Sequence, residues 1–242
     1  MPLIDPAVRG TPPAVGGPTG QVHDTVCFPY EGYYLALFQD QHDPRNMPIE
    51  LSVSRDAETF HHVLPGSKVI PVGAPGDFDA QTILPSTPVI LDREIRLYYG
   101  GGTERQPPLK GRPKEVAQPG LATLRRDGFT SITLDHDRQP GSLVTIPFQL
   151  PRPPSRLQVN ANCPARSRLR AELIDHATGK PLPGFSLTDC QPITGDQFDA
   201  TVTWKSGKTL PRTTNSVRLR WELQAAEGSP KLHAFWFRPL PK

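Results

Sequence analysis

Residues 216–223 read SVRLRWEL, and this stretch decides the fold. Val217, Leu219, Trp221 and Leu223 fall on one side of its alternation, and Arg218, Arg220 and Glu222 on the other. Successive side chains of an extended chain point to opposite faces, so this period of two marks a half-buried antiparallel strand. The same texture recurs on both sides of it: 156–161 (RLQVNA), 168–174 (RLRAELI), 200–204 (ATVTW) and 231–238 (KLHAFWFR) all alternate. Turns carrying Gly, Pro and Asp, such as 175–184 (DHATGKPLPG), separate them. Five such strands without a helical segment predict a β-sandwich, jelly-roll-like, over residues 133–242.

Composition extends this expectation to the whole chain. Proline supplies 30 of the 242 residues, roughly twice its usual share of about 5%. Proline cannot donate to a helix or a sheet ladder, so these residues belong in turns and at strand edges, and long helices are excluded. Hydrophobic residues make up 36% and charged residues 21%, a polar but globular balance. The length suits one large all-β domain or two ordinary ones. A net charge of +3 is too weak for an extended nucleic-acid footprint, and the basic stretch 105–114 is broken by prolines into a loop. Of three cysteines, Cys163 and Cys190 either bridge across the sandwich or stay as thiols, and Cys27 has no third partner. Residues 1–20 are rich in Pro and Gly without periodicity and read as a flexible arm. They hold no apolar core of signal-peptide length, and no run of the chain approaches membrane-spanning length, so a soluble protein without a membrane partner is expected and its localisation stays open.

Between the arm and the sandwich, 21–132 reads as paired strands. Residues 27–38 (CFPYEGYYLALF) form a hairpin about Glu31-Gly32, and 49–63 (IELSVSRDAETFHHV) form another about a polar tip at 54–58. A third pairs 82–90 with 94–99 about 91–93, and Gly100-Gly101-Gly102 is expected to end it. Strand, Arg-Asp turn, aromatic: this order appears at Leu51…Asp56…Phe60 and again at Leu121…Asp127…Phe129. The spacing fits a weak repeat with a long insertion at 103–119.

Several of these segments, in this order, resemble the C-terminal part of glycosidase-type five-bladed β-propeller proteins, the superfamily of invertase-like and arabinanase-like enzymes. They are 26–38 (VCFPYEGYYLALF), 52–60 (SVSRDAETF), 76–83 (GDFDAQTI), 97–101 (LYYGG) and 121–129 (LATLRRDGF). The tail, with Gly184-Phe185-Ser186-Leu187, Asp189-Cys190 and the 232–237 strand, resembles the β-sandwich appended to such propellers. The resemblance implies a partial propeller of about two blades at 21–132 ahead of the sandwich. It implies a carbohydrate-active protein related to glycoside hydrolases, with a glycan or oligosaccharide as partner. It leaves a noncatalytic carbohydrate-binding module, or a homo-oligomer whose copies pair exposed blade edges, as the alternative.

Glycoside hydrolysis needs two carboxyl groups facing each other, roughly 5–5.5 Å apart for retention and about 6.5–9.5 Å for inversion. Acids at strand ends beside aromatics are the candidates. Asp79 leads, in Phe78-Asp79 immediately before an apolar strand, with a turn-capping aspartate as its plain alternative. Asp24 precedes the first strand, and Glu31 lies between aromatics, where a hairpin tip is the competing reading. Tyr30, Tyr33, Tyr34, Tyr98, Tyr99 and Phe78 offer rings for sugar stacking, although one of each adjacent pair belongs in the core because neighbours alternate faces. Adjacent His61 and His62 point to opposite faces and cannot chelate one ion together, and His42-Asp43 is the other metal-like pair. No metal and no cofactor enter this reading. Neither a phosphate loop leading into a helix nor a Gly-x-Ser-x-Gly elbow occurs.

Overall fold

A computed structural model describes residues 21–41, 46–103, 117–134 and 140–241. The arm at 1–20, most of the 103–119 insertion and the His42-Asp43 pair lie outside the described residues. The fold is all-β, with fourteen strands and no helix among the described residues. The chain divides into two compact units, Met1–Phe129 and Thr130–Lys242.

The first unit opens with an antiparallel meander of β1 (Gln21–Tyr30), β2 (Tyr33–Gln41), β3 (Ile49–Ser54) and β4 (His61–His62). The β1–β2 turn is Glu31 (φ 47) and Gly32 (φ 80), closed by the Tyr30–Tyr33 pair. Positive φ at both central residues matches the right-handed twist of the flanking strands. Ser52–His62 and Val53–His61 pairs close the second hairpin, as the sequence predicts. A second sheet joins β5 (Thr82–Pro85), β6 (Val89–Ile90), β7 (Glu94–Gly102) and β8 (Gln118–Arg125). The segment read as one strand at 82–90 breaks at Ser86–Pro88. Its halves, β5 and β6, both pair with β7 and leave its other edge to β8. Gly100, Gly101 and Gly102 do not end the strand as expected; they are its last three residues, paired with β5 and in part with β8. Leu35, Leu37, Ile49 and Leu51 share one core with Ile83, Ile95 and Leu97. Tyr30, Asp127, Arg126 and Glu31 tie the β1–β2 turn to the end of β8.

The second unit holds β9 (Gly141–Val144), β10 (Ser155–Cys163), β11 (Arg168–Asp175), β12 (Gly195–Thr201), β13 (Val217–Gln224) and β14 (Lys231–Pro239). They form two three-stranded antiparallel sheets, β12-β10-β14 and β11-β13-β9. Leu157, Val159, Ala161 and Leu232 from the first sheet share a core with Leu169, Leu173, Leu219 and Trp221 from the second. Trp221 meets Phe235 at 5.7 Å between ring centroids. The strand expected at 200–204 runs earlier, at Gly195–Thr201, because Trp204 turns inward as a core plug and donates its indole N–H to Ala171 O at 2.8 Å. Cys163 and Cys190 are buried free thiols, and burial pushes the Cys163 thiol up to about 11.

Candidate functional site

The loop before β5, GAPGDFDA at 73–80, folds back on itself. Asp77 N donates to Ala74 O at 2.9 Å, Ala80 N to Asp77 O at 3.3 Å and Gly73 N to Asp79 O at 3.1 Å. These bonds bring the side chains of Asp77 and Asp79 close to Gly73. A side chain at Gly73 would overlap Asp79 Oδ1 and start 3.1 Å from Asp77 Oδ2. Both side chains thus crowd Gly73, where even a methyl group would not fit.

Each is held by a different donor. Asp77 is exposed and accepts Ala74 N–H at 2.8 Å. Asp79, only 8% exposed, accepts the Tyr99 hydroxyl at 2.7 Å through its other oxygen. Phe78 stacks on Tyr99 with centroids 6.2 Å apart and planes 14° from parallel. Two glycines make room for these rings. A Cβ at Gly101 would lie 2.6 Å from Phe78 Cε2 and from Asp79 Cβ, and one at Gly120 would overlap the Tyr99 ring. Burial, then the bond to Asp79, pushes the Tyr99 phenol up to about 12, so it remains a proton donor throughout the neutral range.

The other predicted residues separate into different surroundings. Glu31 sits exposed at its turn, and its carboxylate pairs with Arg126 at 2.8 Å. Tyr30 donates to Asp127 Oδ1 at 2.6 Å and accepts Asp127 N–H at 3.1 Å. Burial and then Asp127 push its phenol upward. Asp24 is exposed at a bulge in β1, with φ 26, and no hydrogen bond joins it to Asp79 or Glu31 among the described residues. Arg55 stacks 4.7 Å from the Tyr33 ring centre and donates to its hydroxyl at 2.9 Å. Tyr34 and Tyr98 are exposed, while Tyr33 and Tyr99 pack against the core, as alternation requires. The structure therefore brings Asp79, Phe78 and Tyr99 together, and separately links Tyr30 with Glu31 through Arg126 and Asp127.

Two features lie beyond the sequence reading. Asp77 is one; its signal was the pair of acids flanking a single aromatic in Asp77-Phe78-Asp79. The other is the buried pair of His62 Nε2 and Glu50 Oε2 at 2.6 Å, with Gly66 N–H donating to the same oxygen at 2.9 Å. Phe38 meets the His62 ring edge-on at 5.0 Å. No group of three metal-ligating side chains occurs among the described residues, and no helix there is long and apolar enough to cross a membrane. Neither a protein-family model nor a curated protein sequence matches this chain.

Chemically, the corner offers an exposed carboxylate, a shielded one and a phenol that holds its proton. That set offers carboxylate oxygens that accept hydrogen bonds, one of them already held by the Tyr99 hydroxyl.

Proposed function

We propose that this chain is a carbohydrate-active protein related to glycoside hydrolases, acting on or binding glycans at the Asp77–Asp79 corner. The observation that carries the reading is an exposed carboxylate, Asp77, and a shielded one, Asp79, both close to Gly73 and beside stacked Phe78 and Tyr99. Unlike surroundings are what divide acid from base in glycoside cleavage. In this reading the two sheets of the first unit are partial propeller blades and the second unit is a β-sandwich. Asp77 takes the role first sought at Asp24, and Glu31 holds the hairpin through Arg126.

A noncatalytic or self-assembling module is the second reading. Pairing and parity put Leu84, Val89, Tyr98 and Leu121 on one face of the second sheet, each at least 38% exposed. Such a face is a contact surface for another chain.

Reducing-end release from arabinan, fructan and aryl glycosides tests the proposal, with Asp77→Asn and Asp79→Asn alongside. Release that either variant cuts about a hundredfold or more supports it, since loss of an acid or base costs about 10²–10⁴. Glycan binding without release moves the second reading ahead. Neither binding nor release overturns the carbohydrate assignment. Light scattering on the eluting protein reads self-assembly directly.

A further inference from the structure

The outer face of β11-β13-β9 carries a concavity that nothing above uses. Val144, Ile174, Asp175, His176, Gly179, Arg218 and Arg220 line it, and its volume is about 320 Å³. Strand register builds it. Arg218 lies opposite Ile174, and Arg220 lies between Glu172 and Val144. Alternation that sends Val217, Leu219 and Trp221 into the core sends both arginines outward over two aliphatic side chains.

The charges here are unevenly spent. Arg220 Nε lies 3.0 Å from Glu172 Oε1, an ion pair without hydrogen-bond alignment. Asp175 is occupied by Asn215 Nδ2 at 2.9 Å and Thr178 N at 2.8 Å, bonds that hold its carboxyl below the usual range. Arg218 makes no ion pair or hydrogen bond through its guanidinium among the described residues, and its Nε is shielded from solvent without a partner. Among the described residues no ion pair or hydrogen bond is made by the exposed His176 imidazole either. The Nη nitrogens, unlike Nε, are not shielded, so a ligand in the concavity can meet them there. The planar guanidinium fork matches a carboxylate in two parallel bonds.

We propose that this concavity binds a carboxylate attached to a small apolar body, the carboxylate on Arg218 with His176 at its side and the C–H surface on Val144 and Ile174. The volume lies at the small end of ligand sites, about 300–1,000 Å³, and suits a single ring or a short branched chain. A uronate unit of a glycan and a free aliphatic carboxylic acid share this chemistry. The inference does not rest on the reading of the Asp77–Asp79 corner.

The test follows the arginine Nε–H resonances of the full chain by NMR while galacturonate, isobutyrate, galactose or inorganic phosphate is added. Galacturonate or isobutyrate should shift Arg218 saturably and galactose should not; whichever of the two acids binds tighter identifies the source. Arg218→Gln should weaken that binding about tenfold or more, the loss expected for a hydrogen-bonded charge. Glu222→Gln, a charge change on the same sheet face, should leave it within about twofold, because Glu222 does not line the concavity. His176→Ala, outside the strand ladder, gives a second variant should Arg218→Gln fold poorly, and it too should weaken binding. The proposal fails if neither acid shifts Arg218, if galactose or phosphate binds as well as the acids, or if Arg218→Gln leaves affinity unchanged.

Discussion

Trp221 and Glu50 both lie within central strands, at 0% and 2% exposure, yet one is an indole and the other a carboxylate. They typify the two units. Among the described residues the second unit buries twenty hydrophobic side chains against six polar ones, while the first buries twelve against eight. Apolar burial is favourable with almost any well-fitting neighbour, whereas a buried polar group is tolerated only with its particular partner. The second unit is therefore held by bulk and shape. The first depends on specific pairs: Glu50 with His62, Asp79 with Tyr99, Gln39 Nε2 with Ile83 O at 2.8 Å. Groups that must find one partner are also groups that chemistry can use, and the candidate corner lies in that unit.

The largest expected effects separate the two kinds of interior. Trp221→Ala should cost about 3–5 kcal/mol, the range for emptying a large aromatic site. Trp221→Phe should cost far less, because the indole N–H has no partner to lose. Urea titration of both variants reads the difference; equal losses would mean that the second unit also relies on a specific polar bond there. Glu50→Ala should cost about 3–5 kcal/mol, since it strands buried His62 and the Gly66 N–H. A loss below about 1 kcal/mol would erase the contrast between the units.

Gly73→Ala should follow, at about 1–3 kcal/mol, because the new methyl overlaps Asp79 Oδ1. On the proposed reading, glycan binding or turnover at the corner should fall with it. Gly100→Ala is the matched control. Its Cβ would meet Leu84 at an ordinary 3.6 Å, so stability should change by no more than about 0.5 kcal/mol. Thermal melts of the two variants check the ranking.

What the sequence makes legible follows the same division. In SVRLRWEL, all four residues assigned to the core are buried, because the period-two rule needs no knowledge of partners. Glu31-Gly32 is legible as a turn for the same local reason. Register and loop closure are not local. Pairing of Ser52 with His62 puts His62 on the face of β3 that carries Glu50, and that depends on how many residues the 55–60 tip consumes. Gly101 looks like a strand terminator until Phe78 is found lying where its side chain would be. Asp77 escapes a reading that weighs acids singly, since what marks it is its place beside Gly73 together with Asp79.

The smallest effects compare two hydrogen-bonded acids by pH. Tyr99 has its folded pKa raised from 10.0 to about 12, so its contribution is complete below pH 10 and lost as pH rises toward 12. Absorbance at 295 nm should show two late-ionising phenols, Tyr30 and Tyr99, and Tyr99→Phe should remove one of them; an undiminished late-ionising amplitude in that variant would uncouple Tyr99 from Asp79. Asp56 shows the opposite sign at an exposed tip. Thr59 N–H at 2.8 Å, Glu58 N–H at 2.9 Å and Ser54 Oγ at 2.8 Å draw its pKa from 3.8 down to about 2. Its contribution is thus present above pH 4 and lost as pH falls through about 2. Ser54→Ala removes one of the three donors, and the Asp56 carboxyl resonance should then titrate between about 2 and 3.8. An unchanged midpoint would assign the whole shift to the two backbone donors. The tip would then hold its shape by main-chain geometry alone, as a turn built on any acid would.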